Sequence, residues 1–120
     1  NANNYLAGDK KVIFKKIMSS SEIEISDYSV ASGIFNVKYE SSEADWLHYV
    51  LTTVEHMHAR SKKGLAFNLL TKYSDREFMQ SYLYYADPLF YFDYCKRNFS
   101  KNVALLHDYD QYDFTILIRK

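Results

Sequence analysis

The sequence predicts an α+β fold, in which a mostly antiparallel sheet carries its helices on one face. Several short segments alternate apolar and polar residues, which is the pattern of half-buried strands. One longer segment repeats apolar residues at helical spacing between capping signals at both ends. Only 3 glycines and 1 proline occur in 120 residues, so the elements should be long. The predicted order is β-β-β-α-β-α-β-β.

The first third of the chain predicts three strands. Residues 10–18 place β-branched and aromatic residues between lysine pairs. Residues 22–28 alternate charged residues with isoleucine, as a half-buried strand does. Residues 33–39 read as a third strand, because apolar positions two apart share one face. Those positions are Phe35, Val37 and Tyr39.

The clearest element is a helix predicted over residues 43–62. Ser42 stands in the N-cap position and Asp45 follows three residues later, close to a capping box. Basic residues occupy the last turn, where they complement the helix dipole. Gly64 then suggests a left-handed stop. The apolar stripe consists of Trp46, Leu47, Val50, Leu51, Val54 and Met57.

The second half of the chain predicts a strand, a broken helix and a hairpin. Residues 65–71 are a short apolar run, best read as a buried strand. Ser74 and Glu77 form a second capping box, so a helix should start there. It should break before Pro88, because a residue that precedes proline avoids helical torsions, and a second segment should run from 88 to about 98. Residues 103–109 and 112–120 should pair as an antiparallel hairpin.

Composition narrows the classes of function. Fifteen basic and fifteen acidic residues give a net charge of zero, which argues against nucleic acid as a partner. No apolar run is long enough for membrane insertion. A single cysteine, Cys95, permits no internal disulfide. Residues 1–120 fit one domain. The opening Asn-Ala resembles a tag remnant, and the lack of a first methionine favours a secreted or periplasmic location over a cytoplasmic one.

One cluster of residues could carry chemistry. His107, Asp108, Asp110 and Asp113 lie close together in sequence, and an imidazole beside carboxylates can activate water. The cluster lacks the glycine of a calcium loop, and it falls at a predicted hairpin tip, where aspartate is common. His56 and His58 diverge on the predicted helix, so they cannot bind one metal. The sequence therefore predicts no metal site and no cofactor.

Residues 82–95 hold more aromatic rings than one core face needs. On a helical wheel, Tyr84 and Tyr91 fall away from the stripe of Phe78, Tyr82 and Leu89. Either these rings pack under the terminal hairpin, or they face a partner together with Tyr94. Tyrosine is common at interfaces because it is large, stiff and polar at its tip.

The leading hypothesis from the sequence is a non-enzymatic domain that binds another protein. Toxin-neutralising immunity proteins and envelope accessory proteins are of this kind, and self-association is compatible with it. One alternative is a small hydrolase or nuclease that uses His107 with the aspartates of its cluster. A second alternative is a pocket for an apolar ligand, lined by tyrosine and phenylalanine. No catalytic motif selects among them.

Overall fold

The structure is a computed structural model that describes residues 13–120, and it confirms the α+β class. A five-stranded sheet carries two helices. The elements are β1 (Ser26–Ala31), α1 (Glu43–Arg60), β2 (Ser61–Thr71), β3 (Tyr85–Ala86), α2 (Pro88–Asn98), β4 (Asn102–Leu106) and β5 (Asp113–Arg119). Two single turns of 3-10 helix, at Ser20–Glu22 and Arg76–Phe78, complete the regular structure of the described part.

The four longer strands lie in the order β1-β2-β5-β4, and the short β3 pairs with the end of β2. The antiparallel ladders of β2 with β5 and of β4 with β5 hold most of the paired positions. In contrast, β1 is parallel to β2, and α1 forms the crossover between them. Because β5 is antiparallel to both β2 and β4, the strands β1, β2 and β4 all point the same way.

The prediction for α1 is confirmed, because the helix begins at Glu43 as predicted and ends at Arg60, two residues before the predicted end. The Ser42 hydroxyl accepts a hydrogen bond from the Asp45 backbone N–H at 3.1 Å and so caps the first turn. The helix does not need Gly64 to stop, since Ser61 is already extended and begins β2. Gly64 lies inside β2 instead, where a Cβ atom would come within 2.4 Å of the Ile118 carbonyl oxygen.

The predicted helix from Ser74 onward is wrong, whereas the start of α2 is confirmed. Asp87 caps α2 through the Leu89 backbone N–H at 3.0 Å, and Pro88 occupies the first turn. Before it, backbone groups of Tyr82 and Tyr84 bond to the distant loop at 36–39 rather than to helical partners. Tyr84 N–H donates to the Asn36 carbonyl at 2.9 Å, for example. These long-range bonds satisfy groups that a helix would have paired locally.

The three early strands are largely a wrong prediction. Residues 10–12 lie outside the described part of the chain, and 13–18 form no strand. The 22–28 prediction overlaps β1 only from Ser26 onward. The 33–39 segment is a loop with one isolated bridge, from Val37 to Leu83. Positive backbone φ angles at Gly33 and Tyr39 break the extended path, so Phe35 is fully buried while Tyr39 is exposed.

Both helices pack on one face of the sheet, as predicted. The Tyr91 ring of α2 lies 6.4 Å from the rings of both Phe67 in β2 and Phe114 in β5. The terminal hairpin is also confirmed, although β4 ends at Leu106. The fully buried aliphatic and sulfur-containing members of this core are Val50, Val54, Leu69, Ala86, Cys95, Ile116 and Ile118. Neither α1 nor α2 is long and apolar enough to cross a membrane.

Candidate functional site

The carboxyl ends of three strands meet at one edge of the sheet. Because β1, β2 and β4 point the same way, the loops that follow Ala31, Thr71 and Leu106 all leave from this edge. In open sheets with parallel strands, ligands bind in the crevice outside the carboxyl ends. This edge is therefore the expected location of a ligand site.

Asn68 fixes the loop that follows β1. Its side-chain oxygen accepts a hydrogen bond from the Gly33 N–H at 2.8 Å, and its amide donates to the Ser32 hydroxyl at 3.3 Å. The same amide lies 3.4 Å from a carboxylate oxygen of Asp113 on β5. Gly33 has φ of 75°, a conformation that glycine adopts without strain. The turn after β1 is thus held by β2.

A cleft of about 490 Å³ opens at the ends of β2 and β4. This volume lies within the usual range for small-molecule sites. The walls combine aromatic rings with hydroxyl, amide, carboxylate and imidazole groups. The lining residues are Thr71, Tyr73, His107, Tyr109, Asp110, Gln111 and Tyr112.

His107 and Thr71 form a bonded pair at the base of this cleft. His107 Nε2 lies 3.0 Å from the Thr71 hydroxyl, and that hydroxyl also accepts the Tyr73 N–H at 3.2 Å. The second ring nitrogen, Nδ1, is buried and makes no hydrogen bond within the described residues. Such an unpaired buried group is rare and calls for an explanation. The other ring nitrogen, Nε2, forms the hydrogen bond to Thr71.

The cleft tyrosines are held by their hydroxyl groups. Tyr112 donates to the Asp75 carboxylate at 2.7 Å, and this hydrogen bond is the main reason that the pKa of Tyr112 is raised. Tyr109 bonds the Thr115 hydroxyl at 2.8 Å, and burial raises its pKa. The Tyr73 ring centre lies 6.0 Å from that of His107. Both bonded tyrosines therefore stay protonated near neutral pH and act through hydrogen bonding and ring contact.

The structure separates the predicted acidic cluster. Asp110 lines the cleft beside His107, but Asp108 does not, and Asp113 faces Asn68. Within the described residues no hydrogen bond joins His107 to any of the three carboxylates. No water-activating pair is therefore formed by direct hydrogen bonding between these residues. Only His107 and Asp110 remain as candidates for one site.

The aromatic residues predicted to meet a partner lie mostly in the core. Tyr84 and Tyr91 are 6% and 1% exposed, and their hydroxyls bond each other at 2.8 Å. Their expected outward position depended on a helix that does not form before Asp87. Tyr94 is half-buried, and its hydroxyl donates to the Glu55 carboxylate of α1 at 2.5 Å. These contacts tie α2 to the rest of the fold.

The prediction from the sequence did not name several residues that line the cleft or hold its loops. Thr71 is the last residue of β2 and Tyr73 lies two residues beyond it, so a hydroxyl-bearing residue at the carboxyl end of a buried strand is the signal that could have found them. Asn68 gives no such signal, because it lies inside the strand. Tyr112 was assigned to a strand, whereas it belongs to the loop before β5.

The chain resembles a curated protein of Mycobacterium tuberculosis (strain ATCC 25618 / H37Rv). That protein bears the name "Putative methyltransferase Rv1506c". The two are 55% identical over 95 residues, which cover 79% of this chain and 57% of the relative. The chain thus spans little more than half the length of the relative that it matches. No family model matches the chain, and no solved structure matches it.

This comparison corrects the functional prediction from the sequence. The relative, 55% identical over the match, bears the name of a methyltransferase, which is an enzyme and not an interaction domain. The prediction of a non-enzymatic interaction domain, of the immunity or envelope type, is therefore wrong. Neither the hydrolase or nuclease alternative nor the apolar-ligand pocket agrees with that name. The secreted or periplasmic location also gains no support from the relative.

Proposed function

We propose that this chain carries the acceptor-binding part of a methyltransferase. The observation that carries the proposal is the 55% identity over 95 residues to a protein of that name. The position of the cleft supports the proposal, because it lies at the carboxyl ends of β2 and β4, and ligands of sheets with parallel strands bind outside such ends.

The cleft walls favour a small acceptor with a flat ring. Tyr73 and Tyr112 offer ring faces, on which a planar molecule stacks. Asp110 and Gln111 offer oxygens that accept hydrogen bonds from a hydroxyl or an amine. A volume of about 490 Å³ suits a small molecule rather than a segment of a macromolecule.

The acceptor must lose a proton when its oxygen or nitrogen gains a methyl group. Asp110 is the carboxylate of the cleft wall, so it takes this proton. His107 and Thr71 are hydrogen-bonded to each other, and they hold the cleft wall in place beneath the acceptor. Their role is to position the acceptor, while Asp110 contacts its reacting group.

The methyl donor of most such enzymes, S-adenosylmethionine, supplies an electrophilic methyl group. A nucleotide-like donor of this type is usually held by a glycine-rich turn between a strand and a helix. The chain has 3 glycines, and they lie far apart at positions 8, 33 and 64. No described strand ends in a glycine-rich turn. The residues present do not fit the donor, so we assign only the acceptor side to this chain.

The test measures S-adenosylhomocysteine formed from S-adenosylmethionine by the complete natural polypeptide that contains this sequence. A panel of phenols, aromatic acids and aromatic amines serves as acceptors. We expect turnover with at least one acceptor, and Asp110→Asn should lower kcat about 100-fold, the lower end for a lost general base. Asp108→Asn is the matched control, because Asp108 lies three residues before Gln111 but outside the cleft.

His107→Ala should raise KM more than it lowers kcat, since His107 positions the acceptor without contacting the reacting group. His48→Ala, on the exposed side of α1, is its control. Equal activity of the Asp110 and Asp108 variants would remove the cleft from the mechanism. Absence of donor turnover with every class of acceptor would contradict the proposed function.

A further inference from the structure

A second cavity, here called the side pocket, lies beside the cleft and under the loop that follows β2. Its volume is about 120 Å³. An apolar cavity of about 150 Å³ can hold a benzene molecule, so the side pocket has room for a slightly smaller group, such as isopropyl. The lining residues are Leu70, Ser74, Asp75, Phe78, Leu83, Tyr85 and Tyr112.

Tyr112 is the residue that the side pocket shares with the cleft, since it lines both cavities. Its position is fixed at both ends of the residue. The Tyr112 carbonyl oxygen accepts a hydrogen bond from the Thr71 N–H at 2.9 Å, and the Tyr112 hydroxyl donates to the Asp75 carboxylate at 2.7 Å. The two cavities are therefore neighbours across one fixed ring, and a single ligand that extends past this ring can occupy both.

The polar side chains that line the side pocket already form hydrogen bonds within the fold. The Ser74 hydroxyl donates to the Thr71 carbonyl oxygen at 2.7 Å, and the Tyr85 hydroxyl accepts the Gln80 N–H at 2.9 Å. The Asp75 carboxylate accepts the tyrosine hydroxyl described above. The aliphatic and phenylalanine side chains of the wall are Leu70, Phe78 and Leu83. The side pocket therefore offers a ligand mainly hydrocarbon surface.

Phe78 is the member of this wall that the packing of the fold does not explain. The sequence predicts Phe78 in a core stripe, yet it is 63% exposed and lies outside the buried core. The short turn Arg76–Phe78 carries it, and the Phe78 N–H donates to the Asp75 carbonyl oxygen at 3.0 Å. An exposed ring beside an apolar pocket loses contact with water when a ligand covers it, and this burial favours binding.

We propose that the side pocket binds an apolar group of the acceptor, such as isopropyl, while the polar end of the same molecule lies in the cleft. This inference rests on the proposed function, and it narrows the acceptor to a molecule with two parts. The part in the cleft carries the hydroxyl or amine that is methylated beside Asp110. The part in the side pocket adds affinity by burying apolar surface, and it thereby selects among acceptors.

The experiment measures the binding of phenols to the complete natural polypeptide that contains this sequence, by calorimetry. The probes are phenol and its 4-methyl, 4-ethyl and 4-isopropyl derivatives. Each added carbon that enters the side pocket should lower the dissociation constant about fourfold, which corresponds to the usual gain from burying one methylene group. Equal affinity for all of the probes, or binding of none of them, would overturn the inference.

Phe78→Ala tests the wall of the side pocket. This variant should reduce the gain to less than about twofold per carbon, because water then reaches the alkyl group, and it should leave the affinity for phenol itself within about twofold. Since Phe78 is exposed, the melting temperature should stay unchanged. A variant that keeps the full gain would overturn the inference. A variant that weakens phenol as much as 4-isopropylphenol would place the effect in the cleft and would also overturn it.

Leu89→Ala is the matched control. Leu89 is 61% exposed on α2 and lines neither cavity, so this variant should keep the gain of the unaltered protein along the series. The same loss of gain in the Leu89 and Phe78 variants would overturn the inference, because the effect would then not depend on the wall of the side pocket.

Turnover distinguishes a failure of this inference from a failure of the proposed function. Calorimetry detects binding whether or not a methyl group is transferred. A gain along the series that depends on Phe78, without S-adenosylhomocysteine from any acceptor, would support the side pocket as a ligand site and contradict the proposed function. Turnover of phenols with equal affinity along the series would support the proposed function and overturn the inference.

Discussion

Gly64 offers a sharp test of the sheet, because the sequence and the structure give it different roles. As a helix stop, it would sit in a left-handed conformation and tolerate asparagine. In the structure it lies in β2 opposite Arg119, and an added Cβ atom would stand 2.4 Å from the Ile118 carbonyl oxygen. Ordinary contact begins at 3.4 Å, so the backbone would have to move by about 1 Å.

The size of the effect follows from the position of β2. It pairs with β1 and β3 as well as β5, so β2 cannot move away from β5 without straining the other ladders. Overpacking of this kind costs about 1–3 kcal/mol, which is a large share of a total stability of about 5–15 kcal/mol. For a chain of this length we expect the melting temperature of Gly64→Ala to fall by about 5–15 °C.

The assay is thermal unfolding by circular dichroism, with Gly33→Asn as the control. Gly33 also has a special conformation, with φ of 75°, but nothing lies within 4 Å of an added Cβ atom. Asparagine tolerates that conformation, so this change should cost less than about 1 kcal/mol. Gly64→Asn should be at least as harmful as Gly64→Ala. Near-wild-type melting of both Gly64 variants would refute the close approach of β2 and β5.

Three further predictions concern the core. Tyr91→Phe should lower the free energy of unfolding by about 1–3 kcal/mol, because it leaves the Tyr84 hydroxyl unpaired. Changing both residues to Phe should lower it by less than the single change. Urea unfolding of the two variants measures the difference. Burial raises the pKa of Cys95 to about 12, so its thiol should resist alkylation at pH 8 in the folded state. The unfolded thiol ionises at a lower pH than the folded one, so the free energy of unfolding should fall as the pH rises from about 9 to 12. Urea unfolding at several pH values in this range measures the fall. Val54→Asp should leave the protein unfolded or insoluble, because Val54 is 1% exposed and the new carboxylate would be buried without a partner. Thr52→Asp should yield soluble protein. Equal yields of soluble protein from the two variants would contradict the orientation of α1.

The elements that the sequence predicted well are those with local causes. The start of α1 at Ser42 and that of α2 at Asp87 depend on side chains that bond backbone groups two or three residues away. β2 and the hairpin of β4 with β5 were found because their apolar pattern is continuous over several residues. In each case the signal and the structure lie within one short segment.

The candidate site was predicted only in part, and for a physical reason. His107 and Asp110 were named from the sequence, and both line the cleft. Their neighbours Thr71 and Tyr73 come from a strand end more than thirty residues earlier in the chain. These segments come together because β2 and β4 run parallel on the two sides of β5, and no local pattern specifies that order of strands.

The sequence by itself determined the class of the fold, the two helix caps and the long apolar strands, since each follows from local hydrogen bonding or periodicity. Tertiary structure alone decided the segments around Asn36 and Tyr84. There the two loops bond each other, which prevents the predicted strand and helix, and Tyr84 enters the core as a result. Burial and pairing across the chain outweighed local preference in these segments, because buried backbone groups must find partners wherever the fold provides them.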